Sequence, residues 1–214
     1  MAQDRLKIWE TLFQRALALI ASARSSGTEL TGWSFGGGTA LMRRYRHRFS
    51  KDVDIFVPDP QYFGYLTPRL NDTAQAMTGD YLEDAMFLKL RFPEGEIDFI
   101  ASAPLTRQPT VIENLFGVDV AVETPTEIAA KKIWHRASEF KARDILDVAM
   151  IAEKEPRALE EIRPVMRDRR ETILARIAPN DATLRDDFAQ LELLEYRRSY
   201  DECVAILKKT LAGA

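Results

Sequence analysis

Leu6, Ile8, Trp9, Leu12, Phe13, Ala16, Leu17 and Ile20 recur at steps of three and four. That period predicts an amphipathic helix over residues 3 to 26, closed by Gly27. The chain then changes period. A short strand is expected over Gly32 to Phe35, stopped by Gly36-Gly37-Gly38, with a helix from Thr39 to Arg46 directly after the glycines. Val53, Ile55 and Val57 alternate with Asp52, Asp54 and Phe56, the pattern of a half-buried strand, and Pro58 ends it. Residues 60 to 78 read as weakly helical, because Gly64 and Pro68 interrupt them. Ala85 to Phe92 and Glu96 to Ala101 read as two more strands around the turn Pro93-Glu94-Gly95. A polar stretch with Pro104 and Pro109 leads to a last strand near Val118 to Val122.

The pattern changes again near residue 123. Thr124-Pro125-Thr126-Glu127 is a capping box with proline at the first helical position. From there to Ala214 the period is helical, punctuated by Pro156, Pro164 and Pro179, and Ser199-Tyr200-Asp201-Glu202 opens the last helix as a second box. The expected fold class is α+β: residues 1–123 form an α/β domain with an N-terminal helix, a mixed sheet and flanking helices, and residues 124–214 form a helical domain.

Composition narrows the function classes. The chain has 214 residues, 46% hydrophobic and 29% charged, enough for a core without staples. Lys and Arg total 30 against 33 Asp and Glu, which excludes nucleic-acid binding by bulk charge alone and leaves only a local patch. Cys203 is the single cysteine, so no internal disulfide forms, and a reducing cytoplasm is the expected compartment. Met1 to Glu10 mixes charged and apolar types, unlike a secretory h-region. The apolar runs fall short of the roughly 20 residues of a membrane span.

The densest chemistry lies between residues 33 and 54. Three glycines after an apolar strand permit a tight turn and close backbone approach, and the helix that follows offers free amides to a phosphate; Thr39 adds a hydroxyl there. Asp52 and Asp54 are two apart in a strand and leave the same face. Two bare carboxylates so close repel, a conflict that a divalent cation resolves. Oxygen ligands favour Mg²⁺ or Mn²⁺ with substrate phosphates completing the shell. Asp98, set between Ile97 and Phe99, is the candidate third carboxylate, as in-line displacement at phosphorus needs charge stabilised on both entering and leaving oxygens. The chain lacks a Walker P-loop, Gly-x-Gly-x-x-Gly and Cys-x-x-Cys.

Gly37-Gly38-Thr39 followed by Asp52-Val53-Asp54 resembles the signature of the nucleotidyltransferase superfamily related to DNA polymerase β. Gly-Gly-Thr-Ala-Leu, then Arg48-x-Ser50-x-Asp52-Val-Asp54, is similar more narrowly to the AbiEii-type toxins of type IV toxin–antitoxin and abortive-infection systems. Lys132, twelve residues before Asp144 in Arg143-Asp144-Ile145-Leu146-Asp147, resembles that family's late Lys…Arg-Asp-x-x-Asp motif, although Lys131 is adjacent. The likeness covers about residues 30 to 152. Many members have Gly-Ser where this chain has Gly38-Thr39. The resemblance implies a nucleotidyltransferase-like sheet, with a helical half closing a nucleotide cleft. It also implies transfer of NMP from an NTP to an acceptor hydroxyl. The acceptor it implies is the 3′ end of tRNA, or a protein hydroxyl, with a separate antitoxin countering the toxicity.

In this reading Asp52, Asp54 and Asp98 hold the metal. Gly37, Gly38 and Thr39 cradle the phosphates, Arg48, Ser50 and Lys132 neutralise the triphosphate, and Asp144 joins the catalytic set. Arg43, Arg44, Arg46, His47, Arg48 and Lys51 lie within nine residues. Arg48 and Ser50 share the parity of the carboxylates, whereas the first three arginines read as a solvated helix face. Asp144 and Asp147 share a helix face; for Asp147 the plain expectation is an intrahelical pair with Arg143. Trp33 and Trp134 read as core, and Arg167-Asp168-Arg169-Arg170 as an exposed charged face. Two rival functions share these motifs: a nucleotidyltransferase acting on an antibiotic, and an inactive nucleotide- or partner-binding module.

Overall fold

The computed structural model describes residues 5–25, 27–177 and 182–213; residues 3, 4 and 26 of the expected first helix, and Pro179, fall outside them. The chain divides into two compact units. Unit one comprises the residues up to Ala40, Ser50–Ala103 and Thr110–Glu123; unit two comprises Leu41–Phe49, Pro104–Pro109 and the residues from Thr124 onward.

Unit one is a seven-stranded sheet with helices. Its strands are β1 (Ser34–Gly36), β2 (Val53–Val57), β3 (Tyr81–Glu83), β4 (Phe87–Phe92), β5 (Gly95–Ala101), β6 (Thr110–Leu115) and β7 (Val118–Glu123), in the order β3-β4-β5-β2-β1-β7-β6. β2 pairs parallel with β5 and β1 parallel with β7; the other pairs are antiparallel. Helix α1 (Ile8–Ser25) buries Leu12, Phe13, Ala16 and Leu19. The inward residues of the central strands, Val53, Ile55, Ile97, Phe99, Leu88 and Leu90, are all inaccessible to solvent. Phe13 packs on Phe35 at 4.7 Å between ring centroids, and Trp9 stacks on Phe35 at 5.9 Å; such pairs add to simple area burial. The weakly helical stretch resolves into a 3₁₀ turn and two short helices, α3 (Phe63–Leu66) and α4 (Asp72–Met77). Helix α2 (Gly37–Tyr45) begins at Gly37, two residues before the expected start, and β1 runs through Gly36.

Two strands carry no clear sequence signal. β3 is a three-residue edge. β6 places Val111 and Ile112 in succession, both exposed, so alternation is lost. It is fixed by the hairpin to β7, which turns on Phe116 and Gly117 with φ of 55° and 80°. Two left-handed residues make the type I′ geometry that suits strand twist, without the usual Asn-Gly signal.

Unit two is built from α5 (Pro125–Arg136), α6 (Ala142–Lys154), α7 (Ala158–Glu161), α8 (Arg163–Arg176), α9 (Ala182–Ala189) and α10 (Tyr200–Ala212). α6 packs against α10 and α5 against α8. α6 is buried along nearly its whole length from Ala142 to Ile151, which gives it the core role of the unit. The first capping box forms by half. Thr124 Oγ1 accepts the Glu127 amide at 3.2 Å, but the Glu127 carboxylate is fully buried. It accepts instead from the amides of Leu105 at 3.0 Å and Thr106 at 2.9 Å and from the Thr106 hydroxyl at 2.7 Å. This clamp holds the Pro104–Pro109 segment in unit two. The Ser199–Glu202 box forms in both directions. No helix among the described residues is long and apolar enough to cross a membrane.

Candidate active site

Register builds a cluster of acids in unit one. The parallel pairing of β2 and β5 sets Asp54 beside Asp98, and the antiparallel pairing of β5 and β4 sets Asp98 beside Lys89. On the other side of Asp54 stands Gly36. Lys89, Asp98, Asp54 and Gly36 therefore form a row across four strands, on the face opposite the apolar residues packed by α1. Lys89 Nζ donates to Asp98 Oδ2 at 2.9 Å and also contacts Glu96. Asp98 Oδ1 is buried and has no hydrogen-bond partner among the described residues. Burial pushes the Asp98 carboxyl up to about 6, and the Asp54 charge adds to the push against the pull of Lys89.

Glycine is required beside this row. Gly37 has a φ of 69°, and a Cβ there would lie 1.8 Å from Asp54 Oδ2. The glycine that opens α2 thus makes room for the carboxylate itself. Gly36 makes room for another acid: a Cβ there would lie 2.2 Å from Glu123 Oε2. Glu123 is buried at the end of β7 and accepts from Ser34 Oγ at 3.2 Å. Sequence reasoning passed over Glu123, Lys89 and Glu96. The signal was available as parity, since Glu123 follows Asp119 and Ala121 at two-residue steps. Gly37→Ala is expected to lower the unfolding free energy by about 1–3 kcal/mol, because it adds left-handed strain to a steric conflict. A urea melt measures this, and an unchanged stability would contradict the left-handed backbone at Gly37.

Asp52 lies one residue before β2 and escapes its alternation. Its Oδ1 accepts the Glu96 amide at 3.0 Å, and its carbonyl accepts the Thr39 hydroxyl at 2.5 Å. Thr39 is fully buried and its Oγ1 also lies 3.0 Å from Ser50 Oγ. Its hydroxyl therefore ties the start of α2 to the segment that carries Asp52. Among the described residues no three of His, Cys, Asp and Glu stand at metal-holding distances. The acids nevertheless fit a hard divalent cation. Asp54 and Asp98 are adjacent, and Asp98 keeps an unsatisfied buried oxygen.

The remaining predicted residues gather in unit two. Arg48 is buried, and its guanidinium grips Asp147 with Nε at 2.7 Å from Oδ1 and Nη2 at 2.9 Å from Oδ2. His47 Nε2 lies 2.8 Å from the same Oδ1. Lys132 Nζ donates to Asp144 at 2.5 Å and lies 3.0 Å from Asp147 Oδ2. Lys131 points elsewhere, 3.6 Å from Glu127. Burial opposes ionisation of Asp147, but Arg48, Lys132 and His47 outweigh it and hold the carboxyl well below the usual range. Asp144 is lowered likewise, by Lys132 and Arg136 against burial. Asp147 is thus the centre of the cluster, bound from outside its own helix rather than by Arg143. A buried guanidinium needs a carboxylate, which is why Arg48 departs from the parity of Ser50 and Asp52. His47 is fully buried in this network.

One unit sets paired acids in register beside a glycine-opened helix, and the other is helical. Residues 19–209 match the sequence model of the family described as nucleotidyl transferase AbiEii toxin, type IV toxin–antitoxin system, and the chain belongs to that family. Membership implies a nucleotide substrate and an antitoxin partner. No curated protein matches the chain. Among solved structures it is similar to MenT4, the nucleotidyltransferase toxin Rv2826c from Mycobacterium tuberculosis H37Rv, at 19% identity and a TM-score of 0.57 over 97% of this chain and 83% of that one. It is also similar to the antibiotic-resistance factor ANT(2'')-Ia, at 16% identity and a TM-score of 0.52 over 78% of this chain and 95% of that one. At these identities the likenesses establish the shared fold.

Proposed function

We propose that this toxin transfers NMP from an NTP to the hydroxyl at the 3′ end of an RNA such as tRNA, in the cytoplasm, with Mg²⁺ or Mn²⁺ held by Asp54, Asp98 and Asp52. The observation that carries the reading is the pairing of Asp54 with Asp98 in register, with the Asp98 carboxyl pushed up to about 6 by burial and by the Asp54 charge. When bound, the cation supplies positive charge to the phosphate oxygens and offsets the repulsion between the acids. The free amides at the start of α2 suit the phosphate oxygens, with Gly37 and Gly38 admitting close approach. Thr39 and Ser50 hold the segment that presents Asp52. The acceptor oxygen bonds to the α-phosphorus, the bond to the bridging oxygen breaks, and pyrophosphate leaves. With Asp98 outside the metal shell its Oδ1 takes the hydroxyl proton; with Asp98 as the third ligand the proton leaves to solvent. Arg48 and Lys132 can neutralise the triphosphate only by sharing donors with it, since Asp144 and Asp147 already hold them.

The test incubates the chain with Mg²⁺ or Mn²⁺, each labelled NTP in turn, and RNA, protein or an aminoglycoside panel. Label on RNA, lost in Asp98→Asn, is the expected result. Label on the aminoglycosides would move the reading to antibiotic modification, and nucleotide binding without transfer to any acceptor would overturn it in favour of a binding module.

A further inference from the structure

We propose that the face of unit two formed by Trp134 at the end of α5 and Arg169 of α8 is a docking site for single-stranded RNA, with the stacked pair receiving an unpaired base. This rests on the RNA-acceptor reading above and adds where the strand is held. The sequence leads one to expect Trp134 in the core, yet 36% of it is exposed. The Arg169 guanidinium lies over its ring, 4.1 Å from the centroid. Arg169 makes no ion pair among the described residues, and its Nε has no hydrogen-bond partner there. A cation in a basic surface normally finds a carboxylate, and this one lies instead over an indole.

The surroundings are positive. Arg136, on the same helical turn as Trp134, keeps 38% of its side chain exposed while 3.5 Å from Asp144. Burial, then the charges of Lys131, Arg169 and Arg136, hold the His135 pKa below its ordinary value, against Glu127. α8 itself carries Arg163, Arg167, Arg169, Arg170 and Arg176 against Asp168 and Glu171; Glu171 lies 3.7 Å from Arg170. The whole chain has three more acids than cations, so this concentration is local. Cations alone would suit an acidic peptide as well. The part-exposed indole with a guanidinium over it favours RNA, because a base can stack on an aromatic ring and a carboxylate cannot.

Fluorescence anisotropy with a labelled single-stranded RNA, without metal or nucleotide and over a range of NaCl, tests this independently of transfer. Trp134→Ala is expected to weaken binding about ten-fold and Trp134→Phe to restore most of it. Arg169→Gln is expected to reduce the slope of log K against log salt by about 0.7, the signature of one lost phosphate contact on a single strand. A wild-type chain that does not bind the RNA would overturn the proposal. So would Trp134→Ala and Arg169→Gln variants that melt normally and keep wild-type affinity and slope, or complete displacement of the RNA by poly-glutamate. RNA labelling that persists with unchanged KM in both variants would remove this face and leave the transferase reading standing. Binding that follows the prediction without any RNA labelling would do the reverse.

Discussion

Asp147→Asn is expected to melt about 10 °C below the parent chain, a loss of about 3–5 kcal/mol. The carboxylate is fully buried and receives His47, both arms of Arg48 and Lys132. An amide offers one acceptor where two were engaged, and its own hydrogens point at donors. Removing one partner of a buried ion pair costs more than the pair contributes, because the other charges stay buried. The pH dependence gives a second readout. The folded Asp147 carboxyl lies well below its ordinary value, so its stabilisation is fully present above the unfolded pKa of about 4 and disappears as pH falls through the folded one. Asp147→Asn should therefore flatten the loss of stability on the acid side. An exposed control, Asp168→Asn, should stay within about 0.5 kcal/mol of the parent. A normal midpoint and an unchanged acid limb in Asp147→Asn would show that the cluster does not hold unit two together.

The central strands were legible because their chemistry and period agree: Val53, Ile55 and Val57 mark the buried face, and Asp54 must then lie on the other. The pairing of Asp54 with Asp98 was legible only as a requirement, since register is a long-range property that local pattern does not carry. β6 escaped because an edge strand need not alternate, and its turn uses Phe116-Gly117. The division of labour among the basic residues was also hidden. Parity assigned Arg48 to the carboxylates of β2, yet a buried guanidinium follows the nearest carboxylate rather than its neighbours in sequence. Asp144 was singled out by resemblance, but it is Asp147 that takes most of the donors. Trp134 shows the same limit from the other side. Helical period places a residue on a face, and only the packing of α8 decides whether that face is covered.

Asp54→Asn is expected to reduce transfer by about a thousand-fold or more while making the metal-free chain no less stable. The first half follows from charge: an amide is a weak ligand for a hard cation, and losing the stabilisation of developing charge at phosphorus removes several kcal/mol from the transition state. The second half follows from the row across the sheet. Burial and the Asp54 charge together raise Asp98 to about 6. The stability associated with a protonated Asp98 is therefore present below its unfolded pKa and is lost as pH rises through about 6. Asn at position 54 removes one of the two causes. The wild-type midpoint should thus fall between pH 5 and 8 by more than that of Asp54→Asn, and added Mn²⁺ should raise the wild-type midpoint at pH 8 but not the variant's. These measurements separate a ligand from a structural acid. A structural Asp54 would lose stability on substitution and leave the metal response intact, whereas a ligand loses the metal response and gains stability at high pH. Full transfer activity in Asp54→Asn would remove the carboxylate row from the chemistry altogether, whatever the melting curves show.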